Sequence, residues 1–118
     1  MKMNYFVVGT NDMDAAKAFY GTLFEGMDLQ EISPTHRMTY WVGADFAFAA
    51  AIPFDEKPAT IGNGTMVGFS LGDDQEVVRL HDLAVKLGGR SEGAPGQRGP
   101  RFSAYVRDLD GNKLCLSD

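Results

Sequence analysis

Residues 5–20 read YFVVGTNDMDAAKAFY, and residues 66–81 read MVGFSLGDDQEVVRLH. Each begins as an apolar run and passes through a polar turn whose aspartate heads a helical pattern. The runs 3–9 (MNYFVVG) and 65–71 (TMVGFSL) have the β-branched and aromatic content of strands. Asn11 and Asp12 offer N-cap oxygens to the first helix. Asp73 does so for the second, with Glu76 at the spacing of a capping box. Ala16, Phe19, Tyr20 and Leu23 share one face of the first helix, and Val77, Leu80, Ala84 and Leu87 recur at helical spacing in the second. Tyr5 precedes Asp12 by seven residues, as Met66 precedes Asp73, so one supersecondary unit is used twice.

The stretches that follow each helix support the repeat. After the first, Gly26 offers a stop. A strand is expected over 27–32 with a turn at Ser33-Pro34, then strands over 37–42 and 46–52 around Gly43-Ala44-Asp45. After the second, Gly88-Gly89 closes the helix, and residues 93–101, rich in Gly, Pro and Arg, read as a loop. Strands over 102–107 and 112–117 are joined by a turn at Asp108-Leu109-Asp110-Gly111. The expected layout is βαβββ twice, an α+β chain: module 1 over about 1–53, a connector over 54–63, and module 2 over about 64–118, forming one domain.

Alternation along the strands assigns faces. Phe6, Val8, Phe48, Val67, Phe69, Leu114 and Leu116 are expected to pack under the helices. Tyr5, Val7, Ala47, Ala49, Met66, Gly68, Ser70, Lys113 and Cys115 fall on the opposite faces. Small residues there imply a curved mixed sheet with helices outside and a cavity inside; the alternative is a face filled by assembly.

The totals exclude several classes. An apolar fraction of 44% argues against disorder. A net charge of −5 argues against nucleic acid as a partner. One cysteine, Cys115, precludes an internal disulfide and favours a reducing, cytoplasmic setting. The apolar run near the start is too short for a signal or membrane segment, so no membrane partner is expected.

N-D-M-D-A-A-K-A-F-Y (11–20) and Y-V-R-D-L-D-G-N-K-L-C-L (105–116), with G-N-G-T (62–65) and G-G-R-S-E-G-A-P-G (88–96), resemble segments of the vicinal oxygen chelate superfamily, the glyoxalase, bleomycin-resistance and extradiol dioxygenase group. The resemblance covers essentially the whole chain, and its most specific part is the C-terminal hairpin. It implies a homodimer and a site on the faces away from the helices. In metal-using members, His or Glu ligands stand on the first and last strands of each module. The corresponding places here are Tyr5, a position near Ala49, Met66 and Cys115. Alanine offers no donor, thioether and phenol are poor ligands for a hard cation, and a Cys–Met pair suits only a soft ion. No metal and no cofactor are therefore expected.

The remaining candidates divide by chemistry. His36 falls in a hairpin turn and His81 on the solvent edge of the second helix, neither with a matching ligand. Cys115 has only Lys113 nearby to activate it, and an inert thiol is the simpler reading. Asp108 and Asp110 are turn formers, and the glycines of residues 62–64 precede a strand rather than a helix, so no phosphate loop is present. Arg98, Arg101 and Arg107 cluster near the last strands and suit a carboxylate or phosphate. Tyr40, Trp41, Phe102 and Tyr105 suit a flat ligand. The leading expectation is metal-independent binding of a small organic molecule, with Tyr5, Trp41, Met66, Tyr105, Cys115 and Arg101 as contacts and no catalytic residue assigned. The alternatives are a metal-dependent lyase, isomerase or dioxygenase, and an assembly-only protein with a filled cavity.

Overall fold

The computed structural model describes all residues from Met1 to Asp118. The chain forms two compact units, Met1–Thr60 and Ile61–Asp118. Each holds a four-stranded mixed sheet with one helix, so the α+β class and the doubled βαβββ layout stand as expected.

The first unit runs β1 (Tyr5–Gly9), α1 (Met13–Leu23), β2 (Gln30–Thr35), β3 (Met38–Val42) and β4 (Ala47–Ala51), in sheet order β1-β4-β3-β2. Asp12 is the N-cap of α1, its side chain accepting from the Ala15 N–H at 3.0 Å. Asn11 does something else: its amide bonds both backbone groups of Ala59, at 2.6 and 3.1 Å, and so ties down the chain that follows β4. Gly26 leaves the helix at φ +81, where a side chain would be strained. Under α1 lie Phe48 and Trp41, packed with Tyr20 and Phe24, ring centroids 4.9–6.3 Å apart. The Trp41 indole is satisfied by Glu31 at 3.1 Å.

The second unit runs β5 (Val67–Ser70), α2 (Asp74–Lys86), β6 (Arg90–Arg98), β7 (Arg101–Arg107) and β8 (Lys113–Ser117), in sheet order β5-β8-β7-β6. Asp73 caps α2 through the Gln75 N–H. The capping box does not form, because Glu76 turns instead to Arg79 in a two-bond pair at 2.8 Å. Val77, Leu80, Ala84, Val106, Leu114 and Leu116 are fully buried between helix and sheet. Each of the valines and leucines among them contributes roughly 1.5–3 kcal/mol.

Two expected loops are strands. Ser33-Pro34 lies within β2, whose register with β3 shifts between Ile32 and Thr35, and the turn falls at His36-Arg37. Much of 93–101 lies within β6, which pairs with β7 across two register shifts. Both are edge strands, where a proline costs no ladder bond and a bulge absorbs the extra residue.

Candidate functional site

In each unit the face of the sheet away from its helix is crossed by a row of register partners. In the first unit the row is Val7, Ala49 and Tyr40, with Ile32 beside Tyr40. In the second it is Gly68, Cys115, Tyr105 and Gly93. Val7 and Gly68 each stand five residues before a helix N-cap, so the rows correspond. They differ in filling. Ala49 is completely buried between Val7 and Tyr40. A Cβ placed at Gly68 would meet nothing within 4 Å, and Cys115 is partly exposed. Gly93 serves the other end of the row: a Cβ there would stand 2.8 Å from the Tyr105 ring and 3.0 Å from the Arg98 guanidinium, so glycine is what lets those two groups meet.

The charge around Tyr105 is uneven. The Arg98 guanidinium and the Lys113 ammonium each lie 5.1 Å from its ring centroid. Beside it the register partners Arg90, Arg107 and Lys113 share one carboxylate, Glu92, at 3.6, 2.7 and 3.7 Å. Bonded to Arg107, with Lys113 and Arg90 close by, the Glu92 carboxyl is held below the usual carboxylate range. Three cations thus gather around the Glu92 carboxylate on a chain of net charge −5. Arg98 is fixed by the carbonyls of Ala94 (2.7 Å), Gly96 (3.4 Å) and Ser103.

The expected contacts fall as follows. Tyr105 and Cys115 are adjacent in the row. Met66, just before β5, is 45% exposed, and Arg101 is exposed at the start of β7. Tyr5 is 58% exposed on the first unit's sheet and meets Tyr40 edge-on at 6.3 Å. Trp41 is corrected: at 2% exposure it lies on the helix side in the aromatic core, and Tyr40 takes the outward place beside it. His81 is also corrected. It is buried, with Nε2 2.8 Å from the Ser91 hydroxyl and Nδ1 3.1 Å from Asp82, and so binds α2 to β6. Asp108 forms the final turn as expected, accepting from the N–H groups of Asp110 and Asn112 and from the Asn112 amide.

The family model for the glyoxalase/bleomycin resistance protein/dioxygenase superfamily matches residues 2–116. The chain belongs to this superfamily. It is similar to a crystallised glyoxalase/bleomycin resistance protein from Albidiferax ferrireducens T118, at 29% identity and a TM-score of 0.91, covering 98% of this chain and 96% of that one. A glyoxalase-related enzyme from Fulvimarina pelagi shares the fold at 19% identity and a TM-score of 0.79, covering 99% and 87%. Lactoylglutathione lyase from Agrobacterium tumefaciens does so at 19% and 0.75, covering 98% and 92%. No curated protein matches the chain.

Within the superfamily fold, the four places that the sequence resemblance assigns to metal ligands do not fit a hard divalent cation. Ala49 carries no donor and is sealed by its neighbours. Tyr5, Met66 and Cys115 supply a phenol, a thioether and a thiol, not carboxylate or imidazole. No group of three or more His, Cys, Asp or Glu side chains able to hold an ion occurs. The residues that reading the sequence undervalued are Glu92, Arg90 and Lys113. Their signal was available in the basic residues of strands that pair, but it needs the register to become visible.

Proposed function

We propose that this superfamily member is a metal-independent binding protein for a small planar organic anion, held on the second unit's sheet over Cys115 and Tyr105. The carrying observation is the group of cations beside an aromatic ring: Arg90, Arg107 and Lys113 around the single carboxylate of Glu92, with Tyr105 next to them. A flat ring stacks on Tyr105 and over the hollow at Gly68 and Cys115, while its acid group meets Lys113 and Arg107. Met66 and Arg101 lie on the margins of this face. Tyr5 with Tyr40 offers a neutral aromatic surface on the first unit.

The openness of Gly68 gives a ligand on this face the room it needs. The donor-poor ligand positions favour this reading over a metal-dependent lyase or dioxygenase. A homodimer and a cytoplasmic setting belong to the proposal, the second supported by a lone cysteine with no disulfide partner. The test is a titration with benzoate, phenyl phosphate and benzyl alcohol, followed by NMR at Tyr105 and Cys115. Saturable shifts with the anions and none with the alcohol are expected. Equal response to all three, or no response, overturns the proposal.

A further inference from the structure

The first unit carries a second concavity, formed by α1 and the β2–β3 hairpin, of about 300 Å³. That volume is at the lower end of small-molecule sites. Its wall holds Lys17, Ser33, Thr35 and His36, with Asp14 also on it and Met13 and Thr39 completing the lining. The polarity of this cavity is set by its hydroxyl groups and by Lys17. Thr39 is fully buried and its hydroxyl donates to the Met13 sulfur at 3.4 Å. Thr39 also meets the Ser33 hydroxyl at 2.9 Å, a bond in which either oxygen can be the donor. In either arrangement the Ser33 oxygen keeps a lone pair that can accept. The Thr35 oxygen accepts from the Arg37 N–H at 3.2 Å, and its own proton is free to donate.

The cation is uncommitted as well. Lys17 makes no ion pair or hydrogen bond, although Asp14, one turn earlier on the same helix, lines the same cavity. His36 is likewise without a partner at the hairpin turn. The cavity thus sets donors (Lys17, the Thr35 hydroxyl, the His36 ring) together with acceptors (Ser33, Asp14). A bare anion uses only the first set and is repelled by Asp14. A neutral polyol can bond both sets but leaves the Lys17 charge without a counter-charge. A ligand with both an oxyanion and hydroxyl groups uses all of them.

We propose that this cavity binds a small hydroxylated oxyanion, its phosphate or carboxylate on Lys17 and Thr35 and its hydroxyls on Ser33 and Asp14. The site is separate from the sheet face of the second unit and does not rest on the function assigned there. The test uses the full chain, titrated with glycerol 3-phosphate, glycerate, inorganic phosphate and glycerol, with amide shifts read over residues 13–17 and 33–39. Saturable shifts are expected with one or both hydroxylated anions, the tighter of the two naming the anion, and weaker binding of phosphate and glycerol. Replacing a charge-assisted donor should weaken the better ligand about tenfold or more in Lys17→Met. Ser33→Ala should reduce the preference over inorganic phosphate. Lys17 is partly exposed on its helix, so its substitution leaves the fold intact, which an unchanged thermal midpoint verifies. The proposal is overturned if neither hydroxylated anion gives saturable shifts here, or if Lys17→Met binds them as the parent does.

Discussion

Gly68→Leu separates the binding face from the fold. Gly68 lies in β5 in register with Cys115, and Cys115 with Tyr105, on strands spaced about 4.8 Å apart. Its φ is not positive, and a Cβ there meets nothing within 4 Å, so leucine enters without backbone strain or overlap. Removing a glycine from a strand interior is worth roughly 0.5–1 kcal/mol, so stability should hold or rise slightly. The isobutyl group then occupies the hollow beside Cys115. A ring stacked on this row would lose roughly 100 Å² of apolar contact, about 2.5 kcal/mol at 25 cal/mol per Å². That converts to roughly sixty-fold in Kd. Calorimetric titration with an aromatic carboxylate gives the affinity, and urea unfolding gives the stability. Unchanged affinity in a folded variant would show that the ligand does not lie over this row. A strongly destabilised variant would show that Gly68 faces packed atoms and that the face is not open.

Further outcomes follow from the same geometry. Glu92→Gln leaves Arg90, Arg107 and Lys113 without their counter-charge, so aromatic carboxylates should bind more tightly than to the parent, by titration at constant ionic strength. Because its partners lower the Glu92 pKa in the folded state, the stabilisation is present above the ordinary glutamate value of 4.5 and is lost as pH falls through the folded value. Urea midpoints of parent and Glu92→Gln should therefore differ by a constant amount above about pH 4.5 and converge as the pH falls below it. Gly89→Ala puts a Cβ 2.7 Å from the Arg107 carbonyl and 2.8 Å from that of Ala84, both backbone, and should cost about 1–3 kcal/mol in urea unfolding. His81→Ala removes a buried side chain that bridges α2 to Ser91 and should cost about 1–3 kcal/mol. Asp82→Asn, at a side chain 70% exposed, should change stability by less than about 1 kcal/mol, which thermal melts of the pair will compare.

Much of the fold was legible because both helices carry their signals locally: an aspartate N-cap, an apolar stripe and a glycine exit. The site was less legible because facing depends on register. A turn of three residues at Gly43-Ala44-Asp45 would set Trp41 opposite Ala47, on the outward face. The connection instead takes in Phe46, with the Gly43 N–H bonded to the Phe46 carbonyl, and this one-residue change sets Trp41 opposite Phe48 under α1. His81 sits one residue from Leu80 on the stripe, and it is bonded to Ser91 on a strand that the sequence does not signal, the residues from 93 onward reading as a loop. Prolines in β2 and β6 read as breakers because sequence does not say which strands will be edges.

The two units show where this architecture permits change. Their helix-facing sides are both closed apolar cores, Phe48 with Trp41 in one and Leu114 with Leu116 in the other, because burial leaves little choice there. The opposite rows have diverged around one shared residue type. Tyr40 and Tyr105 occupy corresponding places, but Val7 and Ala49 close the first row while Gly68 and Cys115 open the second. The cations stand beside the open row alone: Arg90, Arg107 and Lys113 are register partners in the second sheet, whereas Met38 and Val42 flank Tyr40 in the first. Packing economy does not explain three cations converging on one carboxylate, since fewer would neutralise it. On the proposed reading, those cations meet the acid group of a ligand, and the hollow beside Tyr105 is the adjoining space in which its apolar part lies.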